Sequence, residues 1–271
     1  MIKILLATLL TVSMNASGAE SVAIENLNTK LQKSKTGWVA KDTWLNHLSQ
    51  AELTRMMGAR DVQPSGINFS TRQSSQAPEV FDWRNRDGVN YITPVLNQGN
   101  CGSCVAFAAV GTLESQMNVT SLVPSLNPRF SSEALFACGG GSCNYGWWPS
   151  SAASYLARVG VPDEACAPYT RGATGKDVAC STICSSSANR SQRVVNSISP
   201  SNIDEVKAAL NNGPMVTTMQ VYTDFVVYSS GVYKHTTGER LGGHAISLIG
   251  FDDTKNAWII RHSWGPYWAL D

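Results

Sequence analysis

Hydrophobic and polar positions recur with clear periods along most of the chain and divide it into a helix-leaning part and a strand-leaning part. Near the N-terminus the capping box from Ser49 to Glu52 predicts a short helix, with Leu53, Met56 and Met57 on one face and Gly58 stopping the turn. The rest of that region is polar and carries signals for short helices only. Its apolar cluster of Trp38, Val39, Trp44 and Leu45 is too small to form a core alone. Residues 104–117 are alanine-rich and apolar, the pattern of a buried helix, and residues 150–159 keep the helical period through Ala153, Leu156 and Val159 until Gly160. A further short helix capped by Ser201 should turn Ile203, Val206 and Leu210 inward and end at Gly213-Pro214. Runs at 215–222, 231–235, 245–251 and 257–262 then have strand texture. The predicted body is α+β, a helical half followed by a β half, and ligand sites favour the cleft between two such halves.

Composition narrows the function. With 43% hydrophobic residues the chain can build an ordinary core, and 21 Lys and Arg scattered against 20 Asp and Glu give a net charge of +1, with no basic stripe to hold a nucleic acid. Residues 1–19 read as a secretory signal: Lys3, an apolar run at 4–12 too short to span a bilayer, and small residues at Ser17 and Ala19. The product after removal of that signal is expected to be soluble, with no membrane segment. Between residues 61 and 78 the composition shifts to Ser, Gln, Pro and Gly, an exposed linker open to proteolytic nicking. Sequons at Asn68, Asn118 and Asn189 fit glycosylation on a secretory route, but such triplets are common by chance.

An exported chain matures where thiols pair, and seven cysteines, all between Cys101 and Cys184, leave one over. The pair Cys101 and Cys104, in Cys101-Gly-Ser-Cys104, has three readings: a redox dithiol, half of a zinc site with Cys138 and Cys143, or one bridged cysteine beside one reactive cysteine. No βαβ context precedes it, and the gap to Cys138 is wide for a zinc ribbon. Cys104 opens the predicted helix, where the N-terminus favours a thiolate. A thiolate needs a base. Of the four histidines, His47 lies in the N-terminal region, leaving His235, His244 and His262. His244 stands in Gly242-Gly243-His244-Ala245 at the start of an apolar strand, where bare backbone lets a substrate approach.

Gln98 with Cys101-Gly-Ser-Cys104, then Gly243-His244-Ala245, then Ser263-Trp264-Gly265, in that order, resemble the papain family of cysteine peptidases. The likeness runs from Phe81-Asp82-Trp83-Arg84 to the end of the chain. Asp163-Glu-Ala-Cys166-Ala-Pro-Tyr169, the pair Cys180 and Cys184, Asp224-Phe225, and Gly231-Val232-Tyr233 point to its cathepsin B-like branch, in particular the short protist forms without an occluding insertion. Thr36-Gly-Trp38 resembles that branch's short pro-segment.

The resemblance implies a two-lobed fold with the site in the cleft: a signal at 1–19, a pro-segment and linker at 20–77, a helical lobe at 78–190 and a β-barrel-like lobe at 191–271. It implies Cys104 as nucleophile, His244 as general base and acid, and Gln98 as a donor to the oxyanion. Gly146, Trp147, Trp148, Gly243, Ala245, Trp264 and Trp268 would line or shield the substrate groove. The implied disulfides are Cys101–Cys143, Cys138–Cys180 and Cys166–Cys184. No metal or organic cofactor is implied. Polypeptides are the implied substrates, the pro-segment the implied inhibitor, and a monomer in an extracellular or lysosome-like compartment the implied state. Three positions depart from the pattern: Val105 replaces a tryptophan, Tyr145 a glycine, and His262 the asparagine that orients the base. Relatives also continue past Trp268 into further β structure, so the β lobe is expected to be truncated. The resulting expectation is a cysteine endopeptidase made as a zymogen, with activity lowered by His262 and the short end; a weakened homologue that binds peptides without efficient turnover is the alternative.

Overall fold

The computed structural model describes residues 16–60, 78–194 and 199–269, with side chains from residue 23 onward. The signal at 1–19 therefore lies largely outside the described residues, as do the 61–77 linker and Asn68. An N-terminal segment comprises α1 (Ala16–Ser34), β1 (Trp38–Ala40), a 3-10 turn at Trp44–His47 and α2 (Gln50–Met56). The body follows as β2 (Val80–Asp82), α3 (Cys104–Ser121), α4 (Ser132–Gly139), α5 (Pro149–Arg158), α6 (Arg171–Thr174), α7 (Ile203–Leu210), β3 (Met215–Tyr222), β4 (Tyr228–Gly231), β5 (Arg240–Asp252) and β6 (Ala257–Arg261). Among the described residues no helix is long and apolar enough to cross a membrane.

α3 is apolar all round from Cys104 to Gly111 because it is covered on all sides there, and it packs with α4 and α5 around Val110, Leu135, Phe136, Trp147, Leu156 and Val161. The β lobe is built on β5, which pairs antiparallel with β3, β6 and β2. Its residues 243–252 are buried without alternation, since α3 lies against it as well. The N-terminal segment shares a core with this lobe: Leu45, Leu53 and Met56 pack with Phe225, Leu241, Trp264 and Trp268.

Several local readings change. The N-terminal segment holds a 19-residue helix rather than short ones. α1 has only a thin apolar stripe, Ile24, Leu27 and Leu31, and it is stabilised by docking on Trp38, Ala40 and Val227. Asn28 fixes that dock by donating to and accepting from the backbone of Ala40, each at 2.9 Å. The cap of α7 is Asn202, which accepts from the Glu205 N–H at 2.9 Å, while Ser201 donates to the Glu205 carboxylate. The strand expected at 231–235 is displaced to β4, because its partner is β1 of the N-terminal segment, with Trp38 opposite Gly231. β2, read into the helical half, pairs with β5 through Phe81 opposite Phe251. The Asn118 sequon is structural: that side chain is buried, donating to the Tyr91 carbonyl at 3.0 Å and accepting from the Asn127 N–H at 3.1 Å. Asn189 is exposed.

Candidate active site

Three disulfides, Cys101–Cys143, Cys138–Cys180 and Cys166–Cys184, take six cysteines and leave Cys104 as the free thiol. That pairing removes the dithiol and zinc readings of the C-x-x-C run. Cys104 is the first residue of α3, and Ser103 before it does not cap the helix, because its hydroxyl meets the Tyr169 hydroxyl at 2.7 Å. The Cys104 sulfur accepts from the Ala245 N–H at 3.4 Å and from the Gly58 N–H. Burial outweighs these donors and pushes the thiol up to about 11, so the helix terminus does not produce a thiolate in this closed arrangement.

His244 lies on β5 next to Ala245, fully buried, and neither ring nitrogen hydrogen-bonds to a described residue. Burial holds its pKa down at about 3. Trp264 covers it at 4.7 Å between ring centroids. His262 was expected to accept a bond from this imidazole. Instead its Nδ1 accepts from the Trp264 N–H at 3.2 Å, and the two imidazole centroids are 6.4 Å apart. The Trp264 amide thus holds the acceptor nitrogen of His262, while Trp268 packs edge-on against the ring at 4.1 Å. Burial, then the His244 and Arg261 charges, holds His262 well below its ordinary value.

Gln98 is completely buried and its amide is fixed at both ends. Oε1 accepts from the Ser263 hydroxyl at 2.7 Å, which turns Nε2 toward the carbonyls of Cys101 (2.8 Å) and Met56 (2.9 Å). Met56 belongs to the N-terminal segment. Residues 56–60 of that segment run through the cleft as a strand-like tract: Trp147 N–H donates to Gly58 O at 2.7 Å, Ala59 N–H to Gly243 O at 3.0 Å, and Arg60 N–H to Trp147 O at 3.0 Å. Glycines make this approach possible. A Cβ on Gly146, at φ +69°, would lie 2.0 Å from Gly58 O, and one on Gly58 would lie 1.8 Å from Gly102 O. Gly58 therefore serves close approach rather than a left-handed helix stop, Met57 being the cap of α2.

The predicted groove residues divide by depth. Gly146, Gly243 and Ala245 present backbone to the tract or the thiol. Trp147 does so too, but its ring is 2% exposed and packs on Phe136 in the core, so it forms no pocket wall. Trp148, 40% exposed, and Tyr145, 71% exposed, both lie near the Arg60 guanidinium at the end of the tract. Trp264 shields His244, whereas Trp268 lies behind His262 and Trp264 in the β-lobe core. Val105 is fully buried inside the helical lobe. Sequence reasoning missed Tyr169, whose hydroxyl donates to the Gln98 carbonyl at 2.7 Å, and the buried Glu133–Arg171 pair, which holds Asp177. Asp177 in turn accepts from the Cys143 N–H at 2.7 Å and the Ser142 hydroxyl at 2.9 Å, fixing the loop that leads to Gly146. Buried charges of this kind look like surface residues in a sequence.

The profile described as papain family cysteine protease matches residues 77–271. The chain is 34% identical over 218 residues to "Cathepsin B-like CP3" of Giardia intestinalis, covering 76% of this chain and 71% of that protein. It is 33% identical over 225 residues to "Cathepsin B-like CP2" of the same organism, covering 80% and 73%. Among solved structures, "proCathepsin B S9 from Trypanosoma congolense" superposes with a TM-score of 0.73 at 24% identity, over 92% of this chain and 89% of that one. A digestive procathepsin L 3 of Tenebrio molitor gives 0.71 at 20%, over 93% and 81%.

Proposed function

Because the chain belongs to the papain family of cysteine proteases, with cathepsin B-like relatives, we propose that it is a cysteine endopeptidase made as a zymogen and silenced by its own N-terminal segment. The observation that carries this reading is the tract at 56–60: a peptide backbone lies over the free thiol Cys104, bonded to both lobes, with its Met56 carbonyl on the Gln98 amide. A substrate in the same cleft would find the same donors and acceptors once the segment is gone.

The proposed chemistry follows from those groups. With the cleft wetted, His244 takes the Cys104 proton, and the sulfur attacks the scissile carbonyl carbon. The carbonyl oxygen becomes an oxyanion held by the Gln98 Nε2–H that now donates to Met56, together with the Cys104 backbone N–H. Collapse breaks the C–N bond, and the amine leaves with the proton from His244. Water then attacks the thioester, His244 accepts its proton and returns it to sulfur, and the acid is released. Endopeptidase action is supported by residues 170–179, which form a short turn around α6 and contain no histidine to hold a substrate's terminal carboxylate. The secretory route, ending outside the cell or in a lysosome-like compartment, is supported by residues 1–19 and by the three disulfides.

A homologue that binds peptides without efficient turnover is the second reading, favoured by the missing bond between His262 and His244. The two readings separate on purified full chain matured by proteolysis. Cleavage of a blocked internal peptide, abolished by Cys104→Ala, supports the peptidase. Labelling by a thiol-directed peptide probe without any turnover supports the binder.

A further inference from the structure

Arg60, the last described residue of the cleft tract, ends between two exposed aromatic rings. Its guanidinium carbon lies 4.9 Å from the ring centroid of Trp148 and 5.9 Å from that of Tyr145, and its Nε donates to the Tyr145 carbonyl. Among the described residues no carboxylate pairs with Arg60, so the ring faces and one carbonyl provide its attractive contacts. The backbone fixes the register of this contact, since the Arg60 N–H is held by Trp147 O at 3.0 Å. The two rings, exposed at 71% and 40%, flank the guanidinium at the groove edge and leave room there for a side chain. A planar cation fits that room best: the guanidinium stacks on ring faces while keeping an N–H for a carbonyl in its own plane, which an ammonium cannot do as well.

We propose that Tyr145 and Trp148 form a subsite for an arginine side chain of the substrate, and that Arg60 of the N-terminal segment occupies this subsite in the closed protein. The subsite rests on the peptidase reading. It is defined by its place on the groove edge and not by the direction in which a substrate runs.

The test uses the full chain after its own maturation and blocked peptides carrying a single arginine, at successive positions around the scissile bond, each matched with a citrulline peptide that keeps shape and loses charge. At one position kcat/KM should favour arginine about five- to ten-fold, mostly through KM, and the ratio should fall toward one in Tyr145→Ala and Trp148→Ala but persist in Tyr145→Phe. Equal handling of arginine and citrulline at every position overturns the subsite while leaving the peptidase reading intact. If no peptide is cut, the peptidase reading fails and the substrate subsite with it, and the intact chain then decides whether the two rings hold Arg60. There, Arg60→Gln should speed alkylation of Cys104 by iodoacetamide several-fold, Arg60→Lys less, and neither should add to the effect of removing both rings. Independent, additive effects in that cycle overturn the proposal.

Discussion

The Gln98 side-chain amide donates to the Met56 carbonyl at 2.9 Å, with Ser263 holding the other end of the same amide at 2.7 Å. The donor proposed for the oxyanion is therefore already aimed and already engaged, by a carbonyl that presents itself in the cleft without being cut. Replacing Gln98 with alanine should lower kcat of the matured enzyme about 100- to 1,000-fold with a smaller change in KM, because the donor acts on charge that develops in the transition state. Steady-state kinetics on a blocked peptide measure it, and an equal rise in KM alone would contradict the role.

Gly58 passes the Gly102 carbonyl so closely that a Cβ would lie 1.8 Å from that oxygen. Gly58→Ala should lift the tract out of the cleft, and an overpacking cost of about 1–3 kcal/mol corresponds to a gain in open chain of roughly 5- to 150-fold. The rate of Cys104 alkylation in the intact protein reads this directly. No acceleration would mean the tract does not guard the thiol.

Closure should have a pH window. In the closed cleft His244 is held at about 3 and Cys104 at about 11, against ordinary values of 6.5 and 9.0. Between pH 3 and 6.5 an opened cleft binds a proton at His244 that the closed one refuses, so acid favours opening; between 9 and 11 the opened cleft has lost a proton that the closed one keeps at Cys104, so alkali does too. Cleavage of the N-terminal segment by an added protease should be slowest between about pH 6.5 and 9. In Cys104→Ser the alkaline limb should vanish and the acid limb remain.

His262→Asn should raise kcat/KM about ten-fold and extend activity to lower pH, by restoring one orienting bond to His244 and removing a second imidazole that can charge beside it. The Trp264 amide at 3.2 Å competes for the same nitrogen in the native protein. A pH profile unchanged by the substitution would assign His262 to packing against Trp268 alone.

The Arg171 guanidinium and the Glu133 carboxylate are both nearly inaccessible to water. Arg171→Met should leave Glu133 buried without its partner and release Asp177 from the 142–146 loop, a loss of about 3–5 kcal/mol. The thermal midpoint should fall by roughly 6–20 °C. A drop of less than about 2 °C would rule out a structural role for the pair.

Short-range chemistry was legible in the sequence. The capping box at Ser49 and Glu52 forms because a cap is satisfied within a few residues, and β3 occupies the run 215–222 that has strand texture. The odd cysteine identified a reactive candidate, although which six would pair came from resemblance alone. What could not be read depends on partners far along the chain. Tyr233 and Val232 look like a strand, yet the Tyr233 hydroxyl goes to buried Asp224 and the strand forms three residues earlier, where β1 supplies the partner. Trp147 looks like a groove residue until Phe136 and Gly139 are seen around its ring. Neither the helix at Ala16–Ser34 nor the tract at 56–60 has an apolar pattern strong enough to announce it, since both are stabilised by surfaces outside themselves, α1 by Trp38, Ala40 and Val227 and the tract by Gln98, Trp147 and Gly243.

The tract that bonds both walls of the cleft precedes both of them in the chain. Gly58 and Ala59 leave the ribosome before Trp147, and long before Gly243, to which they hydrogen-bond. The lobes also meet each other directly, α3 lying against β5 with Ala245 in the helical-lobe core, so removing the tract takes away hydrogen bonds from both walls without taking away what holds the walls together.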